Sequence, residues 1–155
     1  MKEISIRVLD AADVVLLEDM LTMFGEAFDE FETYNAARPG QAYLQKLLGS
    51  DYFIAIAAVD DDTVVGGIAA YDLVKFEQER SEIFIYDLAV AESHRRKGVA
   101  SALIRKTLAI AESRKAHVVF VQAYRGDEPA TSLYSKFSVR EEILHFEIEV
   151  DQLQK

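Results

Sequence analysis

The alternation of apolar and polar residues along the chain predicts a series of β-strands. Two β-rich runs flank three consecutive aspartates at residues 60–62, a polar tip of the kind that closes a hairpin. These two runs are therefore predicted to be antiparallel neighbours. The predicted strands cover residues 4–9, 52–59, 63–73, 82–90, 117–123 and 143–150.

Apolar residues at helical spacing predict the helices between these strands. The first helix carries Val14, Leu17, Leu21, Phe24 and Phe28 on one face. A mobile helix-loop-helix is expected to follow it, because Pro and Gly break regular structure before the second helix. The predicted helices cover residues 11–28, 41–48, 101–111 and 129–136.

The order of the elements predicts one α+β domain with a mixed sheet. A chain of 155 residues is long enough for one such domain with a proper core and too short for two ordinary ones. No repeat, low-complexity tract or change of composition marks a linker. A single domain over residues 1–155 is therefore expected.

Composition narrows the classes of function. The chain has no cysteine, which excludes disulfides, thiolate metal sites and a cysteine nucleophile. Neither a signal peptide nor an apolar run long enough for a membrane span is present, so a cytoplasmic protein without membrane attachment is expected. The net charge of −10, from 27 acidic and 17 basic residues, disfavours nucleic acid and suits a polycationic small substrate, although solubility alone also explains it.

A basic turn runs against this acidic background, between a predicted strand and a predicted helix. Its sequence is Arg-Arg-Lys-Gly-Val-Ala at residues 95–100. Because a helix N-terminus presents unpaired N–H groups and Gly98 lets backbone approach closely, the turn suits a diphosphate. It is neither the dinucleotide-binding glycine motif nor a P-loop. The alternative is an exposed basic turn with no ligand.

This turn, together with Leu88-Ala89-Val90, resembles the motif [QR]-x-x-G-x-[GA] of the GNAT superfamily of N-acetyltransferases. The resemblance extends over nearly the whole chain and implies the GNAT fold, with a mostly antiparallel sheet splayed at the cofactor site. It implies acetyl-coenzyme A as co-substrate. The residues implied for coenzyme binding are Leu88, Ala89, Val90, Arg95, Arg96, Lys97, Gly98, Val99, Ala100 and Ser101.

A longer segment of the chain resembles a narrower group of enzymes within this superfamily. Residues 75–90 look like the central part of type I aminoglycoside 3-N-acetyltransferases, and residues 133–137 and 140–146 extend the likeness. This resemblance implies acetylation of the 3-amino group of the 2-deoxystreptamine ring in gentamicin-type drugs, hence antibiotic resistance. It also implies a homodimer. Ser138 departs from the family, which usually has a glycine there, and this weakens the expected C-cap of the last helix.

The resemblance implies direct attack of an amine on the acetyl carbonyl in a ternary complex. Asp87 is the candidate base or amine-orienting residue, although a role in binding backbone at an irregular strand is equally compatible, and Glu82 is the weaker alternative base. A main-chain N–H near Leu88 is expected to polarise the carbonyl if the strand is bulged there. The resemblance places Tyr134 beside the thioester sulfur, where its phenol is the candidate acid; core packing is the alternative.

A polyamino sugar calls for several carboxylates. The candidates for substrate binding are Glu26, Asp29, Glu82, Asp127 and Glu142, for which a solvated face is the alternative.

Two further groups of residues, the histidines and a set of aromatic residues, give weaker evidence about function. The three histidines lack metal-ligand spacing, so no metal is predicted. Phe24, Phe28, Phe31 and Tyr34 form either an aromatic floor for the acceptor or, as their helical spacing favours, part of the core.

Two alternative functions remain open. One is a GNAT acetyltransferase of another amine, such as a polyamine or a peptide N-terminus. The other is a non-catalytic acyl-coenzyme A-binding module, which the presence of both Asp87 and Tyr134 disfavours.

Overall fold

The structure, a computed structural model, describes residues 3–151. The chain divides between Tyr124 and Arg125 into two compact units. The prediction that residues 1–155 form one domain stays a prediction.

The first unit contains a five-stranded open sheet in the order β1-β2-β3-β4-β5. The first four strands pair antiparallel with their neighbours, and β5 pairs parallel with β4. The strands are β1 Ser5–Val8, β2 Phe53–Asp60, β3 Thr63–Val74, β4 Ser81–Val90 and β5 Val118–Val121. The predicted α+β class, with a mixed and mostly antiparallel sheet flanked by helices, is confirmed.

Helices cover both faces of this sheet because its strands are apolar on both sides. Every residue of β2 except the last is buried, and alternate residues of a strand point to opposite faces. Helices α1 and α2 pack on one face, where Met20 and Phe24 meet Phe53 and Ala55, and α3 covers the other. The helices are α1 Val14–Ala27, α2 Gln41–Leu48 and α3 Val99–Ser113, with a π-helical turn Glu32–Ala36 and a 3-10 turn Glu92–His94.

Two adjacent glycines in β3 let helices approach the sheet from opposite sides. A Cβ at Gly67 would lie 2.7 Å from Met20 Cγ of α1, and one at Gly66 would lie 3.1 Å from Val99 Cγ1 of α3. Met20 is 1% exposed and Val99 is 5% exposed, so neither side chain can turn out to solvent. The Gly66–Gly67 pair therefore sets how closely the first residues of α3 and the middle of α1 pack against β3.

The second unit is built around α4, Glu128–Ser135. Asp127 caps this helix by accepting a hydrogen bond from the backbone N–H of Ala130 at 3.3 Å. At the other end, Ser138 Oγ donates to the backbone oxygen of Tyr134 at 2.6 Å. The residue that departs from the family pattern thus supplies a C-terminal hydrogen bond of its own.

The predicted last strand at residues 143–150 is wrong, because the structure has no strand in this segment. Its apolar side chains are between 66% and 87% exposed, at Ile143, Leu144, Phe146, Ile148 and Val150. Alternating sequence makes a strand only where the backbone finds a neighbouring edge to pair with.

The helix after the basic turn begins earlier than predicted. Helix α3 starts at Val99 rather than at residue 101, because Gly98 in a left-handed conformation ends the turn and lets the next residue enter the helix. Within residues 3–151, no helix is both long enough and apolar enough to cross a membrane. The same residues contain no cluster of three or more His, Asp or Glu placed to hold a metal ion.

Candidate active site

Strand β4 carries a bulge where the sequence placed the chemistry. Ala70 pairs with Ile85 and Ala69 with Asp87, which leaves Tyr86 as the extra residue. β5 pairs with β4 only as far as Ile85. Residues 87–90 pair with β3 alone, so the pairing between β4 and β5 ends at the bulge. The predicted main-chain N–H near Leu88 that would polarise the acetyl carbonyl stays a prediction, and the end of the β4–β5 pairing at the bulge is compatible with it.

Asp87 follows the bulge and is partly buried. Its carboxylate accepts a hydrogen bond from the hydroxyl of Tyr34 at 3.0 Å. Burial raises the pKa of Asp87, the hydrogen bond from Tyr34 opposes that rise, and the negative charge of Glu30 adds to it. A carboxyl whose pKa is raised toward neutrality is better suited to accept a proton from an amine than an exposed aspartate is.

Tyr34 reaches Asp87 from the π-helical turn that follows α1. Its ring lies 5.9 Å from that of Phe24 and 5.6 Å from that of Phe28. Burial raises the pKa of Tyr34, and so does the neighbouring negative charge of Asp87, so the phenol stays protonated and donates. Sequence analysis favoured core packing for Tyr34; the ring does pack against α1, but the hydroxyl serves Asp87.

An aromatic row runs across the sheet beside Asp87. Tyr71 lies 5.4 Å from Phe53 on one side and 5.9 Å from Tyr86 on the other, measured between ring centroids. Phe84 continues the row, 5.9 Å from Tyr86 and stacked on Phe120 at 4.7 Å. Tyr86, the bulged residue in the middle of the row, is 63% exposed, so an incoming molecule can reach the row there.

Two residues of the basic turn have positive φ angles, a backbone conformation found in many anion-binding turns. Arg96 and Gly98 both adopt left-handed conformations, with φ of 61° and 80°. Such residues turn successive N–H groups toward one side, where they bind anions. Helix α3 begins directly after Gly98 and has no side-chain cap and no acidic residue in its first turn. The N-cap residue, Gly98, therefore makes no side-chain hydrogen bond to the first N–H groups of α3. A Cβ at Gly98 would meet no atom within 4 Å.

Side chains hold this turn against neighbouring backbone. Arg95 Nε donates to the backbone oxygen of Val90 at 3.1 Å, and Lys97 Nζ donates to that of Ser93 at the same distance. The Nε2 atom of His94 lies 2.9 Å from the Asp60 carboxylate, which ties the turn to the β2–β3 hairpin. The fixed turn and the open space above Gly98 fit a diphosphate.

The predicted substrate-binding carboxylates fall in different surroundings. Glu26 and Asp29 are exposed at the end of α1. Glu82 lies 3.6 Å from Lys75 at the far end of β4. In the second unit, Asp127 caps α4 and Glu142 pairs with two arginines, Arg125 and Arg140, each at 3.0 Å. Glu30, one residue beyond Asp29, is the carboxylate whose charge acts on Asp87.

Two contacts of the site were missed from the sequence. The Tyr34–Asp87 hydrogen bond joins residues 53 positions apart, and the His94–Asp60 contact joins residues 34 positions apart, so neither leaves a local signal. A bulge near Leu88 was expected from the family resemblance alone, because its place at Tyr86 depends on the register with β3, which periodicity does not report. The adjacent glycines at positions 66 and 67 were the one available signal of close helix approach.

Comparison with known proteins identifies the family. The family model for the acetyltransferase (GNAT) family matches residues 17–138. The chain belongs to this family. No curated protein sequence matches it significantly. Among solved structures, an aminoglycoside acetyltransferase, HMB0005, from an uncultured soil metagenomic sample is 54% identical, with a TM-score of 0.94 over 96% of this chain and 99% of that one.

Two further structures extend the comparison of this GNAT protein. The soil-metagenome aminoglycoside acetyltransferase meta-AAC0020, in complex with sisomicin, is 28% identical, with a TM-score of 0.88 over 95% of this chain and 96% of that one. AAC(6')-Iy in complex with a coenzyme A bisubstrate analog is 14% identical, with a TM-score of 0.75 over 96% of this chain and 99% of that one, and shows the fold alone. The chain is thus a GNAT acetyltransferase, structurally close to aminoglycoside acetyltransferases, and the acetyl donor of its family is acetyl-coenzyme A.

Replacing Gly98 with valine is expected to weaken acetyl-coenzyme A binding about tenfold or more. Valine at a φ of 80° is strained, by about 1–2 kcal/mol, and its side chain would occupy the open space above the turn. Isothermal titration calorimetry measures the dissociation constant. Gly40→Ala is the matched control, since position 40 is equally open but has a φ of −69°. An unchanged dissociation constant in Gly98→Val would contradict the diphosphate assignment.

Proposed function

We propose that the chain transfers acetyl from acetyl-coenzyme A to the 3-amino group of the 2-deoxystreptamine ring in gentamicin-type aminoglycosides. The observation that carries the proposal is Asp87, a partly buried carboxylate directly after the β4 bulge and on the strand that leads into the basic turn. Similarity to aminoglycoside acetyltransferases over nearly the whole chain supports the substrate class, and the likeness of residues 75–90 to 3-N enzymes supports the position.

In the proposed reaction Asp87 accepts the proton that the amine loses. The amine nitrogen attacks the acetyl carbonyl carbon, a C–N bond forms, and the C–S bond to coenzyme A breaks. Asp87 attracts the ammonium form by charge, and this ammonium loses one proton to water before the neutral amine attacks. As the attacking nitrogen becomes positive in the transition state, Asp87 takes the second proton, directly or through one water. The raised pKa of Asp87 brings its proton affinity closer to that of the attacking amine.

The developing charges need two further groups. A main-chain N–H freed at the bulge, near Leu88, stabilises the carbonyl oxygen as it becomes negative. Tyr134 is proposed to give a proton to the departing thiolate, a role supported by its place in the family motif on α4. For the diphosphate of the donor, residues 95–101 provide N–H groups of the turn and of the first turn of α3, with three cationic side chains beside them.

Carboxylates are proposed to bind the remaining ammonium groups of the acceptor. Glu30 and Asp87 act on the same region of the site, as the effect of Glu30 on the pKa of Asp87 indicates. Glu26 and Asp29 lie on the same chain segment. Glu82, Asp127 and Glu142 remain proposed substrate contacts, and each would first have to leave its present partner. A homodimer and a cytoplasmic location remain predictions from the sequence.

Release of coenzyme A thiol tests this function. Acetyl-coenzyme A is mixed with the protein and, in parallel, with gentamicin, a kanamycin, spermidine or a peptide amine, and a chromogenic thiol reagent reports turnover. We expect rapid turnover with gentamicin and, by NMR of the product, acetylation at the 3-amino group. Turnover with spermidine or the peptide but not with gentamicin would refute the substrate. Silence with every amine, despite coenzyme binding, would favour a non-catalytic module.

A further inference from the structure

Tyr34 and Asp87 are far apart in the sequence and form a hydrogen-bonded pair in the fold. Tyr34 lies on the π-helical turn after α1, and Asp87 lies after the bulge of β4. The hydroxyl of Tyr34 donates to one carboxylate oxygen of Asp87 at 3.0 Å, and both side chains are partly buried. A hydrogen bond to an ionised acceptor is roughly twice as strong as one between neutral groups.

The turn that carries Tyr34 is fixed to α1 at several points. The backbone N–H of Tyr34 donates to the oxygen of Glu30 at 3.2 Å, and the N–H of Glu30 donates to the oxygen of Gly25 in α1 at 3.0 Å. Arg38 donates to the side chains of Asn35 and Thr22, the latter at 2.9 Å. The Tyr34 ring lies against Phe24, which is 1% exposed. The phenol hydroxyl is thus held at a defined position rather than on a free loop, and single π-helical turns frequently occur at functional sites.

The close approach of the turn to α1 depends on Gly25. A Cβ at position 25 would overlap the Asn35 side chain and would lie 3.4 Å from Tyr34 Cβ. No larger residue fits there unless Asn35 moves. The position of the Tyr34 hydroxyl is therefore set by the packing of the turn on α1 and not by its bond to Asp87 alone.

We propose that Tyr34 is a positioning residue for Asp87. The hydroxyl of Tyr34 keeps the Asp87 carboxylate ionised and directs the other carboxylate oxygen toward the acceptor amine. This role rests on the proposed function, in which Asp87 accepts the amine proton. Tyr34 acts through Asp87 and does not itself transfer a proton. A phenol suits this task because it donates one hydrogen bond at fixed distance from a rigid ring and stays neutral at physiological pH.

The charged and titratable groups around Asp87 determine the consequence of removing this hydroxyl. Tyr34 and Glu30 approach from the segment after α1, Tyr71 from β3 and Tyr86 from β4. Only the Tyr34 hydrogen bond lowers the pKa of Asp87, whereas burial and the charge of Glu30 raise it. Without the hydroxyl, the pKa of Asp87 rises, and a protonated, inactive Asp87 persists to higher pH than in the wild type.

The experiment compares Tyr34→Phe with the wild type and with Tyr71→Phe, a matched control that removes a neighbouring phenol hydroxyl. Two quantities are measured in each protein: the carboxyl pKa of Asp87 by NMR, and kcat and KM as functions of pH with the acceptor that wild type uses. For Tyr34→Phe we expect the carboxyl pKa and the acidic limb of the kcat profile to move up by about one unit. At pH values below the wild-type limb, kcat should fall about tenfold.

The outcomes separate this inference from the proposed function. Equal Asp87 pKa values in wild type and Tyr34→Phe overturn the role of Tyr34, and so does a fall in kcat that is the same at every pH. An equal shift in Tyr71→Phe also overturns it, because any nearby hydroxyl would then suffice. If the wild type acetylates no amine, the proposed function fails, yet the NMR titration still decides whether Tyr34 controls the ionisation of Asp87.

Discussion

Asp87→Asn is expected to lower kcat for acetyl transfer by about 10²–10⁴-fold, the range typical of a lost general base. Asparagine keeps the size of the side chain and can still accept the hydrogen bond from Tyr34, but it takes no proton from the amine. Binding of acetyl-coenzyme A should be unaffected, since the turn at residues 95–98 is unchanged. The loss should be largest at low pH and shrink as pH rises, because more of the acceptor amine is then neutral without help.

Two companion variants define what this result means. Asp19→Asn removes one negative charge from the exposed side of α1 and should leave kcat unchanged. Glu82→Gln tests the alternative base on the same strand, whose carboxylate lies 3.6 Å from Lys75. Wild-type turnover in Asp87→Asn, together with a large loss in Glu82→Gln, would transfer the role of base to Glu82. A steady-state assay of thiol release over a range of pH measures all three.

Gly67→Ala is expected to destabilise the fold by about 1–3 kcal/mol, which for a domain of this size lowers the melting temperature by several degrees. A Cβ there would lie 2.7 Å from Met20 Cγ and 3.3 Å from the backbone oxygen of Ile56. Met20 is 1% exposed, so its side chain cannot move out to solvent and is surrounded by close-packed core residues. Helix α1 therefore has to shift away from the sheet. Thermal unfolding followed by circular dichroism measures the change.

The control for this substitution is Gly49→Ala. Position 49 ends α2 with a φ of −81°, and the nearest atom to an added Cβ is the backbone oxygen of Gln45 at an ordinary 3.4 Å. An alanine there should leave stability unchanged or raise it slightly through the unfolded state. If Gly67→Ala melts at the wild-type temperature, the close packing of Met20 on β3 is not what limits position 67.

The sequence predicted most of the strands and helices because the pattern of apolar residues within each segment determines its type. Alternation located β2, β3 and β4, and helical spacing located α1 and α2, each within a few residues of its observed bounds. The basic turn was predictable for the same reason: its glycine, its charges and the following helix are contiguous in the chain. Chemistry that depends on one segment leaves its signature in that segment.

The features that the sequence did not predict depend on contacts between segments that are far apart in the chain. The pattern of residues 143–150 is that of a strand, yet these residues form none, because periodicity reports which side chains share a face and not whether an edge is present to pair with. Asp87 was found from the family motif, but its bond to Tyr34 and the effect of Glu30 on its pKa arise only when the turn after α1 lies beside β4. The bulge at Tyr86 likewise follows from pairing with β3.

The end of the pairing between β4 and β5 has a consequence for how the two substrates reach the proposed site. Tyr34 and α1 lie on one face of the sheet, while α3, which begins at the basic turn, lies on the other. If donor and acceptor bind as proposed, the amine and the thioester come together from opposite faces of the sheet, close to where β4 and β5 stop pairing after Ile85. Neither molecule has to pass the other to reach its place, so the layout itself imposes no order of arrival or departure on the two reactants.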